Sequence, residues 1–223
     1  MEDSSFRVTP KVVSTDRAGK VGAWNDVMFT HSEGNDDYII FMDGDIIFLQ
    51  ENNLENLVNA LEFNSEAYIS TDRPIKDIAV KDSKSISQKM SLAFSKFTSN
   101  APGQLCAQLY CSRSSFLRRM SIPEGIVAED TYLKYMAITE GFTEKQNLNR
   151  LIVVDNASHL FEAYVGLKDY FKNQVRQTIS FTIWRVFKKH IADNVSPNNA
   201  LEYSKQRYLQ DPQWFNKILR QEF

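Results

Sequence analysis

The most constraining feature of this sequence is a short, continuously apolar run that ends in two acids. Residues 38–42 read Tyr-Ile-Ile-Phe-Met, and Asp43, Gly44 and Asp45 follow them. A run of this length that is rich in strand-forming residues predicts a strand buried on both faces of a largely parallel sheet. Because α/β folds place ligands at the carboxyl ends of such strands, Asp43 and Asp45 are the first candidates for a functional site.

Helical and strand-like patterns alternate around this run, which predicts an α/β fold. Short apolar or alternating runs indicate strands, and apolar residues at helical spacing indicate helices. The expected strands are residues 6–15, 38–42, 67–70, 104–111 and 151–155, and the expected helices are residues 21–29, 54–63, 114–120 and 131–139. Residues 71–100 are mostly polar, and we expect a loop and a surface helix there.

The last third of the chain has a different character. Apolar residues recur there at every fourth position, and basic residues surround them, which predicts a long basic amphipathic helix over residues 168–191. The apolar positions are Phe171, Val175, Ile179, Ile183, Phe187 and Ile191. Such a helix either packs on the core of its own domain or rests on an anionic membrane surface. We therefore divide the chain into a catalytic domain at residues 1–165 and a helical extension at residues 166–223.

The composition argues against several classes of protein. A formal net charge of -2 with scattered basic residues argues against nucleic-acid binding. The acidic start has no secretory signal, and Asp43 and Asp45 interrupt the most hydrophobic stretch, so we expect no export and no membrane span. The expected location is the cytoplasm, or the cytoplasmic face of the membrane. Cys106 and Cys111 are expected to be reduced thiols.

The two acids after residues 38–42 are suited to holding a divalent cation. Two carboxylates placed two positions apart on an extended chain project to the same side. Magnesium and manganese are bound by one or two carboxylates and keep positions open for water and for substrate phosphates. Asp43 and Asp45 are therefore candidate ligands of Mn2+ or Mg2+. The alternative is that both are turn acids that join the strand to the apolar residues 46–48.

A further motif lies upstream of the strand, where residues 19–25 read Gly-Lys-Val-Gly-Ala-Trp-Asn. This segment, the apolar strand and the D-x-D together resemble the family 2 glycosyltransferases, which carry G-K-x-x-A-x-N before a strand ending in D-x-D. The resemblance implies a GT-A-like, Rossmann-like fold, with a mostly parallel sheet and helices on both faces. It also implies that Lys20 and Asn25 contact a nucleotide-sugar donor. Their alternative role is a helix start with a solvated lysine and a polar face.

Two later segments extend the resemblance. Glu129 and Asp130 resemble the E-D motif of the family, which implies Asp130 as the general base for the acceptor hydroxyl and Glu129 as a substrate contact. A simple helix cap is the alternative. Gln174 and Arg176 resemble part of the Q-x-x-R-W motif, with the arginine one place early and no tryptophan, and are candidate contacts of the acceptor or the diphosphate. His159 joins the metal site in some relatives, and otherwise is a structural residue.

The resemblance covers most of residues 11–177 and implies an inverting transferase. Such an enzyme moves a sugar from a nucleotide-diphosphate donor to a hydroxyl of a glycan or lipid-linked acceptor. The sequence departs from the family at its beginning, where members carry a further βαβ unit with an Asp that reads the base of the donor. We therefore expect a GT-A unit truncated at its N-terminus, with a helical C-terminal tail.

Two other functions remain open at this point. Residues 39–45 also resemble the haloacid-dehalogenase-like phosphatases, in which Asp43 would be the nucleophile and Asp45 the acid. Residues 19–25 have no role in that chemistry. The third possibility is a truncated, non-catalytic transferase-like module that acts through its surface.

Overall fold

The computed structural model describes residues 12–14, 19–32, 34–80, 103–162, 167–195 and 199–223. The strand predicted at residues 6–15 falls mostly outside the described residues. Most of the loop and surface helix predicted for residues 71–100 also falls outside them. The described chain is an α/β structure in which helices cover one sheet.

Five strands of the described chain form one mixed sheet. They are β1 (Tyr38–Met42), β2 (Ile47–Phe48), β3 (Ile69–Lys76), β4 (Leu109–Arg113) and β5 (Leu151–Phe161), in the spatial order β1-β4-β3-β5-β2. Only β3 and β5 pair in parallel. The pairs β1–β4, β3–β4 and β2–β5 are antiparallel. The expectation of a mostly parallel sheet is therefore wrong, because β4 runs against both of its neighbours.

The apolar strand β1 occupies a different place from the one its sequence indicated. It lies at one end of the described strand order, its first four side chains are half-buried, and Met42 is exposed. On one face, the Phe41 ring stacks between those of Trp24 and Tyr110. On the other face, Tyr38 and Ile40 join a second apolar cluster. The prediction of a strand buried on both faces of a parallel sheet is wrong, because helices cover both faces of an antiparallel pair without fully burying it.

Strands β3 and β5 extend further than the hydrophobic pattern predicted. The pattern predicts a loop from Thr71 onward, but β3 continues through Thr71 to Lys76, and β5 continues past Asp155 to Phe161. Several polar side chains in these extensions have internal partners, since the Thr71 hydroxyl donates to the carbonyl of Leu109 at 2.9 Å and Asp72 Oδ2 pairs with His159, although Asp72 Oδ1 has no hydrogen-bond partner among the described residues. Buried polar side chains with internal partners do not interrupt a strand.

The helices lie close to their predicted positions. They are α1 (Lys20–Asp26), α2 (Asn53–Glu62), α3 (Ser114–Leu117), α4 (Glu129–Ile138), α5 (Leu167–Asn194), α6 (Ala200–Gln210) and α7 (Trp214–Glu222). A π-helical turn, Val27–His31, continues α1. Single 3-10 turns occur at Asp77–Ala79 and Leu148–Arg150. The four helices predicted before the last third of the chain, and the long helix within it, are confirmed.

Two apolar clusters cover the two faces of the sheet. In β4, Leu109 and Cys111 belong to the cluster that includes Leu57 and Leu61 of α2. Tyr110, which points to the opposite face, belongs to the larger cluster built with α1, α4, α5 and the last two helices. Helices on both faces are therefore confirmed. The C-terminal helices share this larger core, because Trp184, Phe187 and Trp214 pack in the same cluster as residues of α4.

Helix α5 buries only part of its predicted apolar stripe. Four residues turn an α-helix through about 400°, so positions repeated every fourth residue drift by about 40° at each step. Phe187 and Ile191 reach the core, whereas Val175 and Ile179 are exposed. The predicted stripe is buried only in the second half of the helix, because residues 171–179 are exposed on nearly every side. Within the part of the chain that is described, no helix is long and apolar enough to cross a membrane.

Candidate functional site

Lys20 stands at the centre of the residues that the sequence motifs singled out. Gly19 precedes it with φ 97° and ψ 163°, a backbone conformation that favours glycine, and α1 begins at Lys20 itself. The Lys20 ammonium lies 2.7 Å from Asp43 Oδ1 and 3.2 Å from Glu129 Oε1. It also donates to the carbonyl oxygen of Ala107 at 2.8 Å. Three segments that are distant in sequence therefore meet at one ammonium group.

The charges of this cluster keep the lysine protonated. Partial burial by itself would lower the pKa of Lys20, but the hydrogen bond and the attraction from Asp43, together with the charge of Glu129, outweigh it and raise that pKa. The Glu129 side chain is largely buried, whereas Lys20 and Asp43 remain partly exposed. The Lys20 ammonium and the Asp43 carboxylate are thus accessible to a ligand, whereas Glu129 is mostly covered.

Asp43 and Asp45 follow the end of β1 but do not continue it. The backbone amide of Asp43 donates to the carbonyl of Gln108 at 2.8 Å, which fixes the end of the strand. Gly44 and Asp45 then form a turn that leads to β2, and Asp45 is exposed. The expectation of an extended chain through both acids is therefore wrong, and the relative direction of their carboxylates does not follow from strand alternation. The alternative prediction places both acids in a turn between β1 and residues 46–48, and the backbone does form a turn at residues 44–45.

The donor set is compatible with a divalent ion only if the substrate completes it. Among the residues that the structure describes, no three His, Cys, Asp or Glu side chains are grouped closely enough to hold a metal ion. Magnesium commonly uses one or two carboxylates and takes its other ligands from water and substrate phosphates. Asp43 and Asp45 fit that pattern, since both are carboxylates at a partly open surface.

The acids of the later motif lie in the first turn of α4. Ala128 occupies the N-cap position, so Glu129 and Asp130 are the first two helical residues. Asp130 Oδ1 accepts a hydrogen bond from the amide of Thr131 at 2.6 Å. The N-terminal end of a helix favours negative charge, which suits both acids. Glu129 contacts Lys20, and Asp130 lies next to it on the same turn.

Asn25 is inside the protein rather than at the open side of the site. Its side chain is fully buried, its Nδ2 atom donates to the carbonyl of Ile122 at 2.8 Å, and its Oδ1 atom accepts from the amide of Ile122 at 3.1 Å. This pair of bonds ties α1 to the segment that leads to α4. The structure gives Asn25 this structural role, and a contact with a donor stays a prediction.

A buried pair of ionisable residues lies behind the site. The Nδ1 atom of His159 is 2.7 Å from Asp72 Oδ2, and both side chains are fully buried. Since a carboxylate oxygen only accepts, Nδ1 carries the proton in this bond. The other ring nitrogen lies 3.4 Å from Gln108 Oε1. His159 therefore faces Asp72, and the structural role that was left open for it agrees with this geometry.

No sequence pattern singles out Asp72 or Gln108. The pattern predicts a loop at Asp72 and indicates no chemistry for the segment that contains Gln108. Cys106 belongs to the same group, because its Sγ atom lies 3.7 Å from Gln108 Oε1. Burial raises the pKa of the Cys106 thiol to about 11, with smaller contributions from the negative charges of Asp72 and Asp130. The thiol is therefore protonated at neutral pH.

The last two predicted contacts lie elsewhere, on α5. Gln174 and Arg176 are exposed, and no contact among the described residues joins either of them to Lys20, Asp43 or Glu129. A small pocket lies between the start of α4 and the part of α5 that follows Arg176. Its lining includes Ala128 and Thr131, which flank the two acids of α4 in sequence.

Comparisons with known proteins do not identify a family for this chain. No protein-family model matches this chain, and no curated protein matches it significantly. Motif order and site geometry are therefore the grounds for a functional proposal.

Proposed function

We propose that this chain is the catalytic unit of an inverting, metal-dependent glycosyltransferase that uses a nucleotide-diphosphate sugar. The observation that carries the proposal is the contact of Lys20 with both Asp43 and Glu129. Each of these three residues belongs to a different motif of the family that the sequence resembles. If the three motifs matched the family only by chance, their side chains would not be expected to contact one another.

The donor side of the site is assigned to Lys20, Asp43 and Asp45. The phosphates of a bound donor would replace part of the contact between Lys20 and Asp43, because they carry negative charge that the ammonium attracts. A divalent ion held by Asp43 and Asp45 would neutralise charge on the departing diphosphate. Glu129 holds the ammonium in place from the side of α4.

The acceptor side is assigned to Asp130. Its Oδ1 atom is held by the amide of Thr131, so Oδ2 is the atom that takes the proton from the acceptor hydroxyl. The hydroxyl oxygen forms a bond to the anomeric carbon while the bond from that carbon to the diphosphate oxygen breaks. Attack from the face opposite the leaving group inverts the anomeric centre. Gln174 and Arg176 remain predicted contacts of the acceptor or diphosphate, and a peripheral membrane contact through α5 stays a prediction.

The phosphatase alternative has less support from the geometry. In that chemistry Asp43 would need to be free for attack on phosphorus, but its Oδ1 atom is bound to Lys20. The segment that contains Lys20 would also have no role. We therefore retain the transferase as the function that the site supports best.

Calorimetric titration with a panel of nucleoside diphosphates and Mn2+ tests the proposal. We expect saturable, Mn2+-dependent binding of at least one of them to the unmodified chain. D43N and D45N should each weaken that binding at least about tenfold, because each removes a negative oxygen ligand of the ion. D193N, an exposed acid on α5, is the matched control and should bind normally.

Thermal unfolding of the same variants separates loss of the site from loss of the fold. Unchanged nucleotide affinity in D43N and D45N would contradict the assignment. Absence of nucleotide binding by the folded, unmodified chain would favour the non-catalytic module instead.

A further inference from the structure

The turn that precedes β4 supports the candidate site through its backbone. Ala107 and Gln108 form this turn, and β4 begins at the next residue. The carbonyl oxygen of Ala107 accepts from the Lys20 ammonium at 2.8 Å. The carbonyl oxygen of Gln108 accepts from the amide of Asp43, also at 2.8 Å. Any displacement of this turn would therefore displace both the cation and the first acid of the site.

The side chain of Gln108 connects the turn to the buried pair behind the site. Gln108 Oε1 lies 3.4 Å from Nε2 of His159, and Nδ1 of the same ring lies 2.7 Å from Asp72 Oδ2. A glutamine amide carries both a donor and an acceptor, so it can bond to Nε2 whether or not that nitrogen is protonated. The His159 ring is thus held by Asp72 on one side and contacts Gln108 on the other.

An irregularity in the sheet brings His159 to this place. The register of β3 and β5 shifts between Thr71 and Arg73. There β5 advances by five residues, from 153 to 158, while β3 advances by two, from 71 to 73, which leaves three extra residues in β5. Three residues of a strand span about 10 Å, and the shift moves His159 by that length toward Asp72. Such irregularities often re-aim a side chain next to a functional site.

Stability of the fold is a weak reason for an ionisable pair at this position. The side chains of Asp72 and His159 are fully buried, and Asp72 Oδ1 has no hydrogen-bond partner within the described part of the chain. Apolar residues of similar volume often stabilise a protein as well as a buried ion pair does. The contact with the turn that supports the site supplies a more specific reason for the pair.

We propose that His159 is a positioning residue of the candidate site and acts on it through Gln108. Asp72 orients the His159 ring, the ring holds the Gln108 side chain, and the turn thereby keeps its two carbonyl groups in place. His159 is fully buried, so it acts without touching the ligand. The effect on donor binding rests on the proposed transferase function. The link from His159 to the turn rests only on the contacts described above.

Two substitutions remove this link from opposite ends. The side-chain nitrogen of asparagine takes the place of Nδ1, so H159N keeps a donor for Asp72 and loses Nε2. Q108M removes the amide and keeps a side chain of similar length. Gln108 is only half-buried, so Q108M tests the link even if H159N lowers the stability of the fold.

H190N is the matched control. Nε2 of His190 lies 2.8 Å from the hydroxyl of Tyr203, and this contact joins α5 to α6 outside the candidate site. The same substitution therefore removes the same ring nitrogen at a place that has no connection to the turn. Thermal unfolding of all variants measures the accompanying change in stability.

Labelling of Lys20 by acetic anhydride, followed by mass spectrometry, reports on the turn without any ligand. Lys20 is held by three contacts, whereas Lys145 is exposed and serves as the internal reference. H159N and Q108M should each raise the ratio of Lys20 to Lys145 labelling at least about threefold, because each loses a hydrogen bond that fixes the turn. H190N should leave the ratio unchanged. The double variant H159N/Q108M should match the single variants, since both remove the same bond.

Calorimetry with Mn2+ and the nucleoside diphosphate that binds the unmodified chain most tightly is the second readout. H159N and Q108M should each weaken this binding at least about threefold, and H190N should not change it. If no nucleotide binds to the folded, unmodified chain, the proposed function fails while the labelling ratio still tests the link. The two failures are therefore distinguishable.

Four results would overturn the inference. The first is an unchanged labelling ratio in Q108M, and the second is an equal increase in H190N. The third is an additive increase in the double variant, which would show that His159 does not act through Gln108. The fourth is raised labelling with unchanged nucleotide affinity, which would leave His159 a purely structural role.

Discussion

Replacing Asn25 with leucine tests how α1 is joined to the segment before α4. In the folded chain, the Asn25 side chain satisfies both the amide and the carbonyl of Ile122, at 3.1 and 2.8 Å. Both residues are fully buried, so water cannot replace these bonds. Leucine is similar in size but has no polar atom. The substitution therefore leaves one buried N–H and one buried C=O of Ile122 without this partner.

The expected loss of stability follows from those two groups. A buried polar group that loses its partner costs about 1 to 3 kcal/mol. Burial of the leucine side chain returns part of this cost, so we expect a net loss of about 3 kcal/mol. Chains of this size lose about 2 to 4 °C in melting temperature for each kcal/mol, which gives a shift of roughly 6 to 12 °C. Urea denaturation followed by circular dichroism measures the free energy of unfolding.

A second substitution, N56L, separates the cost of burying an unpaired polar group from the cost of losing a hydrogen bond. Asn56 Nδ2 donates to the carbonyl of Asn156 at 2.8 Å, the same distance as the bond from Asn25 Nδ2 to Ile122, but at the surface. N56L should therefore cost less than about 1 kcal/mol, because water replaces the lost bond. Equal losses in N25L and N56L would refute the reasoning. Normal stability of N25L with lost nucleotide binding would indicate a donor contact instead.

Two further predictions concern backbone strain and thiol reactivity. G125A should lose about 1 to 3 kcal/mol in thermal unfolding, because φ is 104° there and a Cβ atom would lie 2.5 Å from Asn216 Oδ1. G34A, where a Cβ atom meets nothing within 4 Å, should be nearly neutral, and equal shifts would contradict this account. Burial raises the pKa values of Cys106 and Cys111 to about 11 and about 12, so the thiolate fraction rises with pH up to those values. Labelling by a disulfide reagent should be slow at pH 8, faster at pH 10, and immediate in urea; rapid labelling of the folded chain at pH 8 would contradict the burial.

The hydrophobic pattern predicted where the elements lie better than how they pair. Helices such as α2 and α4 were located because their apolar residues recur at a period set within the helix itself. Strand direction has no comparable local signal, since β4 pairs with β1 and β3 across long stretches of chain. The continuous apolar run at residues 38–42 therefore indicated a parallel sheet. An antiparallel pair of strands that helices cover on both faces has the same apolar pattern, so the pattern does not distinguish the two.

Polar residues with buried partners account for the other differences. Asp72 and His159 are far apart in sequence, and each alone is typical of a loop or a surface. Their pairing places both inside the sheet, where β3 and β5 run side by side. The contact of Lys20 with Asp43 and Glu129 depends equally on long-range packing. Motif order indicated which residues to compare, but only the fold shows that they touch.

The charge balance around Lys20 connects the fold to the proposed chemistry. Asp43 and Glu129 contact this ammonium, and the other two motif acids, Asp45 and Asp130, are close to them in sequence. One ammonium is thus shared by the two carboxylates of Asp43 and Glu129, and like charges held close together repel. A divalent ion at Asp43 and Asp45 would offset the charge of Asp43 and would free Lys20 to contact a phosphate. The excess of one negative charge over the Lys20 ammonium is therefore a physical reason to expect that cation and donor bind together.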